Sequence, residues 1–314
     1  MPVFNGEQYL KECIDSVLCQ TFVNFEFIII NDGSTDRTEE IILSYVDKRI
    51  FYVKNKENLR IADTLNKGIK FAKGKYIARI DADDICLPSR FEVQVNFMQK
   101  NPDIDICGSW MQCFNEIGDT NLQKNPILNN EIQVALLFNS CIGHPTVMGK
   151  KDFFCNLKYR KQYNGAEDYD LWVRGSEQYH YANIPSALIK YRIHSNQTNG
   201  IKPMKVAYRV RCNYLKTVCP MITDKEVRKF TDIAYKIFIR KKTSKKIIDK
   251  ILLGNSKTNI LDNNILKEQL EIYCQQATNS EKSSLLKRYT KTVLSNLFGD
   301  EIITQLVQVK RIFK

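Results

Sequence analysis

FEFIIINDGSTDRTEEIILSYV, residues 25–46, begins as a short apolar run, breaks at Asn31-Asp32-Gly33-Ser34 and resumes as a helical pattern. An apolar run of this length bounded by turn residues reads as a buried strand. The segment after it opens with Thr35 and Asp36 as candidate N-caps and Glu39 and Glu40 in the first turn, which reads as a helix start. Upstream, GEQYLKECIDSVLCQ at 6–20 places Tyr9, Leu10, Cys13, Ile14, Val17 and Leu18 at helical spacing. Downstream, RIFYVKN reads as a strand and Leu59 to Ala72 as a helix stopped by Gly74, and KYIARIDADD as a strand running into a cluster of acids. A helix (SRFEVQVNFMQKN) and a further strand (IDICGSWMQCF) follow. Strands alternating with helices predict an α/β fold with a mainly parallel, Rossmann-like sheet and helices on both faces.

In an open parallel sheet, ligands bind outside the carboxyl ends of the strands. Asn5-Gly6, Asp32-Gly33-Ser34 and Asp81-Ala82-Asp83-Asp84 all fall there and are expected to converge. Three carboxylates within four residues repel one another, and a divalent cation with a taste for oxygen ligands relieves that repulsion; the competing reading is a solvated acidic turn. Glu167-Asp168 precede Leu171-Trp172-Val173 at the start of an amphipathic pattern. They serve either as dipole and cap acids or as a general base. His194 ends a strand-like run, either bonded within the core or ligating a metal.

The whole chain is 314 residues, 43% hydrophobic and 26% charged, which allows one large or two ordinary folded domains. No run approaches the roughly 20 apolar residues of a spanning helix, and the N-terminus lacks a signal-peptide layout. Ten cysteines carry no CxxC pair and no zinc spacing, so reduced thiols in a cytoplasmic protein are expected. Residues 201–314 hold 24 Lys/Arg against 10 Asp/Glu, whereas residues 1–200 hold 23 against 25. Beyond Pro203 only amphipathic helical patterns follow, at 205–218, 224–242, 244–254, 264–277, 281–298 and 300–313. The expected division is therefore 1–203 and a basic helical region over 204–314.

Taken together, PVFN at 2–5, IIINDGSTDRT, ENLRIADTLNKGIKFAKGKYIARIDADDICLPSRF, HPTVM, NGAEDYDLW and YRIHSNQ resemble the family 2 glycosyltransferases, inverting enzymes of GT-A fold, over about residues 1–200. The resemblance implies that Val3, Phe4 and Asp32 hold the base of a nucleotide-sugar donor. It implies that Asp81 and Asp83, as the DxD pair, meet the ribose and a diphosphate bridged by Mn²⁺ or Mg²⁺. Asp168 becomes the base that deprotonates the acceptor hydroxyl, and His194 a holder of the metal or diphosphate. Two departures stand out. The chain retains only MPVF of a first strand, so that strand is expected to be short, with either an upstream start or reduced stability as the consequence. Arg60 replaces the glycine of many relatives, and its side chain either reaches the donor's base and phosphates or points to solvent.

The basic run Arg240-Lys241-Lys242-Thr243-Ser244-Lys245-Lys246 lies between apolar helical stretches. It reads as the solvated face of a bundle or as a contact with an anionic membrane. The expectation is a UDP-linked donor, a lipid-linked saccharide acceptor in polysaccharide, O-antigen or capsule biosynthesis, and a peripheral place at the inner face of the plasma membrane. Two other readings stay open: a sugar-phosphate nucleotidyltransferase, whose Gly-rich loop after the first strand is missing here, and a basic nucleic-acid-binding protein on an inactive scaffold. The latter lacks a helix-turn-helix, RRM or zinc signature, and no nucleic-acid partner is expected.

Overall fold

In the computed structural model, which describes residues 1–194, 201–235 and 239–279, Pro2–Val3 (β1), Phe27–Asn31 (β2) and Ile50–Lys54 (β3) form a parallel ladder in that order. β2 is central, pairing at all five of its residues with β3 and at Ile30 and Asn31 with β1. The crossovers carry the helices Leu10–Leu18 (α1) and Thr38–Leu43 (α2). α1 buries Leu10, Cys13, Ile14 and Val17, the stripe that its spacing predicts. It starts later than Gly6 because residues 5–7 are fastened to the loop after β2. The amides of Asn5, Gly6 and Glu7 donate to Ser34 Oγ at 2.9 Å, Thr38 Oγ1 at 2.9 Å and Asp36 Oδ2 at 3.0 Å.

The parallel ladder stops at three strands. After Ile61–Phe71 (α3), the elements Tyr76–Ala78 (β4), Ile85–Cys86 (β5), Arg90–Lys100 (α4), Ile106–Asn115 (β6), Gly118–Gln123 (β7), Asn129–Ala135 (α5), Met148–Lys150 (β8), Lys151–Leu157 (α6), Glu167–Gly175 (α7) and Tyr181–Arg192 (β9) follow. They build a second sheet in the order β4-β8-β6-β9-β5, with β7 on β6 and only β6–β9 parallel. KYIARIDADD, expected as the next parallel strand, keeps three strand residues and pairs antiparallel with β8. The chain turns from Asp81 to Asp84, where the Asp84 amide meets the Asp81 carbonyl at 3.4 Å. The two sheets share one core, since Val3, Ile29, Ile80, Cys107, Met148 and Leu188 belong to the same apolar cluster.

A groove of about 720 Å³ is lined by Ile28 and Ile30 of β2, Leu65 and Ile69 of α3, and Tyr76 and Ala78 of β4. The Met1 amine donates to the Ile28 carbonyl at 2.9 Å, the place of a strand peptide N–H, and burial lowers its pKa to about 5.

Contacts divide the chain into Met1–Leu136 with Ser140–Gln197, described above, and a second unit of Leu137–Asn139 with Thr198–Lys314. In the second unit the described helices are Ile201–Val218 (α8), Asp224–Ala234 (α9), Lys241–Thr258 (α10) and Asn263–Asn279 (α11). Leu215, Val218, Phe230, Ile233, Ile251, Leu266 and Leu270 are buried in it, and Phe138 stacks on Tyr273 with ring centroids 4.0 Å apart. α9 opens with a capping box between Thr223 and Glu226. Glu226 also pairs with Lys250 at 2.8 Å, and these bonds hold its pKa near the value of about 2. The helix expected over 224–242 ends at Ala234, and Arg240 is extended as the N-cap of α10, which takes up Lys241 and Lys242. The helices expected over 281–298 and 300–313 lie outside the described residues. No helix among the described residues is long and apolar enough to cross a membrane.

Placing four or five apolar residues ahead of Met1 would replace the buried amine by a peptide N–H and cover the groove. Such a chain is expected to melt roughly 4 °C or more above one extended with Gly-Ser residues. Equal melting temperatures would contradict this account of the groove.

Candidate active site

The loops that follow β1, β2 and β4 meet at one edge. A Cβ on Gly6 would lie 3.9 Å from the Cβ of Ala82, and the Cys13 thiol donates to the Asp81 carbonyl at 3.2 Å. Gly33 has φ +75°, and a Cβ there would sit 2.8 Å from the carbonyl carbon of Glu57. Only glycine lets the loop after β2 approach residues 57–60 so closely.

Asp32 uses that approach. Its Oδ1 accepts from Asn55 Nδ2 at 2.7 Å and from the Leu59 amide at 2.9 Å, and its Oδ2 from the Arg60 amide at 3.0 Å. Arg60, the N-cap of α3, is held at φ 71° and ψ 165°, a conformation that belongs almost wholly to glycine. Its side chain is exposed. Val3 turns its side chain into the core and gives its carbonyl to the Asp32 amide at 2.8 Å, whereas Phe4 is 49% exposed beside it.

The acidic loop forms a tight cluster, with one oxygen from each of Asp81, Asp83 and Asp84 lying within 4.8 Å of the others. Asp84 is fully buried, and burial together with its two acidic neighbours drives its pKa well above the carboxylate range. Its Oδ1 accepts from the Arg192 amide at 2.9 Å, and its Oδ2 has no hydrogen-bond partner. Burial also raises the pKa of Asp81, while the ion-paired guanidinium of Arg79 pulls it back. His194 Nε2 stands 2.9 Å from Asp83 Oδ2, and its ring lies 4.9 Å from that of Tyr9. A crowded set of carboxylate oxygens, one of them orphaned in the interior, fits Mg²⁺ or Mn²⁺.

The second group of acids opens α7. Ser140 Oγ donates to Asp168 Oδ2 at 3.3 Å, and burial raises the Asp168 pKa. Glu167 is 7% exposed. Burial and the adjacent Asp168 push its pKa up to about 7. Its Oε2 accepts from the Gly165 amide at 2.7 Å, and its Oε1 is 3.9 Å from His144 Nδ1. His144 Nε2 in turn bonds Tyr159 Oη at 2.9 Å, and burial keeps the imidazole neutral by driving its pKa well below 6.5. The Arg79 guanidinium, 7% exposed, acts electrostatically on Asp81, Glu167, Asp168, Tyr159 and His144. It therefore links the two acidic groups electrostatically.

The structure thus joins Asp83 to His194 and Asp32 to Arg60. Arg79, Ser140, His144 and Tyr159 were not singled out from the sequence, whereas Asp84 was read as the third carboxylate of the acidic cluster. HPTVM did contain His144, but nothing local to Arg79 or Tyr159 signals that they are buried at this site.

Glu167 binds its proton more readily folded than unfolded. Its contribution to stability is complete below its unfolded pKa of 4.5 and is lost as pH rises through about 7. Relative to Glu167→Gln, the wild type should lose on the order of 3 kcal/mol between pH 4.5 and 8 in urea unfolding. A difference that does not change with pH would show that Glu167 titrates normally.

Residues 1–154 match the model of glycosyl transferase family 2. An uncharacterised glycosyltransferase of Haemophilus influenzae is 42% identical over 63% of this chain and 65% of its own length, so the chain spans just under two thirds of that relative. One from Methanocaldococcus jannaschii is 38% identical over 64% of this chain and 72% of its own length. The O-antigen biosynthesis glycosyltransferase WbnJ of Escherichia coli is 34% identical over 63% of this chain and 80% of its own length. Among solved structures, Staphylococcus aureus TarS 1–349 in complex with UDP-GlcNAc superposes with a TM-score of 0.60 at 15% identity, over 88% of this chain and 87% of that one. That likeness speaks for the GT-A fold. On the sequence matches, the chain belongs to glycosyl transferase family 2.

Proposed function

We propose that this chain transfers a sugar from a UDP-linked donor to a saccharide acceptor, with inversion at the anomeric carbon. The observation that carries the reading is the cluster of Asp81, Asp83 and Asp84 with His194 on Asp83, at the carboxyl edge of the β1–β2 ladder. Asp32, the backbone at Val3 and the exposed ring of Phe4 hold the nucleoside, and Asp81 meets the ribose and diphosphate. Asp83 and His194, with Asp84 behind them, would hold Mn²⁺ or Mg²⁺, which when bound supplies charge to stabilise the departing diphosphate.

The chain's own chemistry lies at Asp168. Its carboxylate takes the proton of the acceptor hydroxyl, and the freed electron pair forms the new bond to the anomeric carbon. The bond to the diphosphate oxygen breaks on the opposite face, its electrons leaving with UDP. Burial improves Asp168 as a base by raising its pKa toward neutrality. The Tyr169 amide and the Arg79 guanidinium oppose that rise by favouring the ionised form.

The O-antigen relative supports a saccharide acceptor, and by analogy we take that acceptor to be lipid-linked. In the second unit the exposed Arg240, Lys241, Lys242, Lys245 and Lys246 crowd the start of α10. An anionic membrane at the inner face of the plasma membrane would neutralise them.

Incubation with a panel of nucleotide sugars in Mn²⁺, Mg²⁺ or EDTA is expected to release UDP from one donor in a metal-dependent way. The glycoside formed should have inverted configuration by NMR, and Asp168→Asn should lower kcat by about 10³ with little change in donor KM. Turnover unaffected by Asp168→Asn, or retention of configuration, would overturn the proposal.

Arg60 separates function from stability. Its backbone strain is worth about 1–3 kcal/mol, which a purely solvated side chain has no reason to impose. Arg60→Gly should raise the melting temperature by roughly 2–6 °C and weaken UDP binding about tenfold by removing a guanidinium placed to meet the donor. A variant that is more stable and binds UDP as before would place Arg60 outside the donor site.

A further inference from the structure

We infer that Arg192, at the end of β9, is a positioning residue that sets the geometry of the cation-binding acids by fastening both Asp83 and Asp84. The inference rests on the reading of Asp83 as a cation ligand. Arg192 touches the acidic loop twice. Its amide donates to Asp84 Oδ1 at 2.9 Å and its Nε to the Asp83 carbonyl at 2.8 Å. One bond orients a side chain and the other fixes the backbone of the neighbouring residue.

The guanidinium packs against two aromatic rings. Its central carbon lies 4.3 Å from the centroid of the Tyr9 ring and 4.4 Å from that of Phe114. An ion pair to Glu12 of α1 completes the setting. The Arg192 side chain is 13% exposed and that of Glu12 57%, so the pair with Glu12 is screened and contributes little. The bond to the Asp83 carbonyl and the two aromatic contacts do most of the fixing.

His194, two residues further on, then reaches Asp83 Oδ2 at 2.9 Å. Arg192 therefore carries the strand end that delivers His194 and at the same time pins the loop that His194 meets. Lysine cannot reproduce this, having neither a planar face for the two rings nor an Nε–H set back from its charge. Side chains of this kind that orient metal ligands typically control affinity by 10–100-fold.

The test is Mn²⁺ affinity, followed by the electron paramagnetic resonance of free Mn²⁺, with melting curves in EDTA. It compares wild type, Asp83→Ala, Arg192→Lys, Arg192→Met and Glu12→Gln. Both Arg192 variants should bind Mn²⁺ about 10-fold or more weakly, even where their melting temperatures in EDTA match the wild type. Glu12→Gln should stay within about twofold, and the donor KM in saturating Mn²⁺ should recover toward wild type for Arg192→Lys. If Arg192→Met does not fold, Phe114→Leu removes one of the two rings against Arg192 and is expected to weaken Mn²⁺ severalfold. Arg192 variants that bind Mn²⁺ like the wild type while Asp83→Ala abolishes binding would overturn the role of Arg192 alone. Wild-type protein that binds no Mn²⁺ at Asp83 would overturn the cation reading beneath it as well.

Discussion

Three carboxylates held within 4.8 Å of one another are the constraint around which the first unit is arranged. Left to themselves in a partly buried loop they would repel, take up protons or spread apart. The surroundings hold them together from several directions. Arg79 neutralises Asp81 from β4's side, His194 meets Asp83, and the Arg192 amide satisfies one oxygen of Asp84. The other Asp84 oxygen is left without a partner in the interior, a state that a bound cation would resolve. The loops zipped together after β1 and β2 then bring Asp32 and the α3 N-cap to the same edge.

Arg79 couples this cluster to the acids of α7. A single buried guanidinium opposes the rise in pKa of Asp81, Glu167 and Asp168 alike. Binding a cation and a diphosphate beside Asp81 would alter the field at the base. On the proposed reading, donor binding at Asp81 and the basicity of Asp168 would be coupled through Arg79. The neutral His144, bonded to Tyr159 and near Glu167, gives the foot of α7 a polar interior without adding a charge.

Much of this was legible in the sequence, for physical reasons that can be named. Asp32, Asp81 and Asp83 follow apolar runs, and the end of a buried strand is where a parallel fold presents its ligands. Asp168 and His194 sit at a helix start and a strand end, again positions with local signals. The partition into two sheets was not legible, because β4 finds its partner β8 some 70 residues downstream and alternation along a strand does not name the strand beside it. Arg79 reads locally as one more residue of YIARID, and its burial shows only in the folded structure. Arg60 was visible as an unusual residue, but its strain follows from φ 71°, which no sequence pattern states. Among the described residues of the second unit the helical periods held, while the break between α9 and α10 did not show, since Arg240 is extended within a run that looks helical throughout.

The account turns on whether the acidic cluster binds donor through a cation. Calorimetric titration of UDP into the protein, in Mn²⁺ and in EDTA, tests this directly with wild type and Asp83→Ala. The account predicts binding by the wild type that falls at least about tenfold in EDTA, and an Asp83→Ala protein whose weak binding no longer responds to Mn²⁺. UDP binding of equal strength with and without the cation, unchanged by Asp83→Ala, would contradict it.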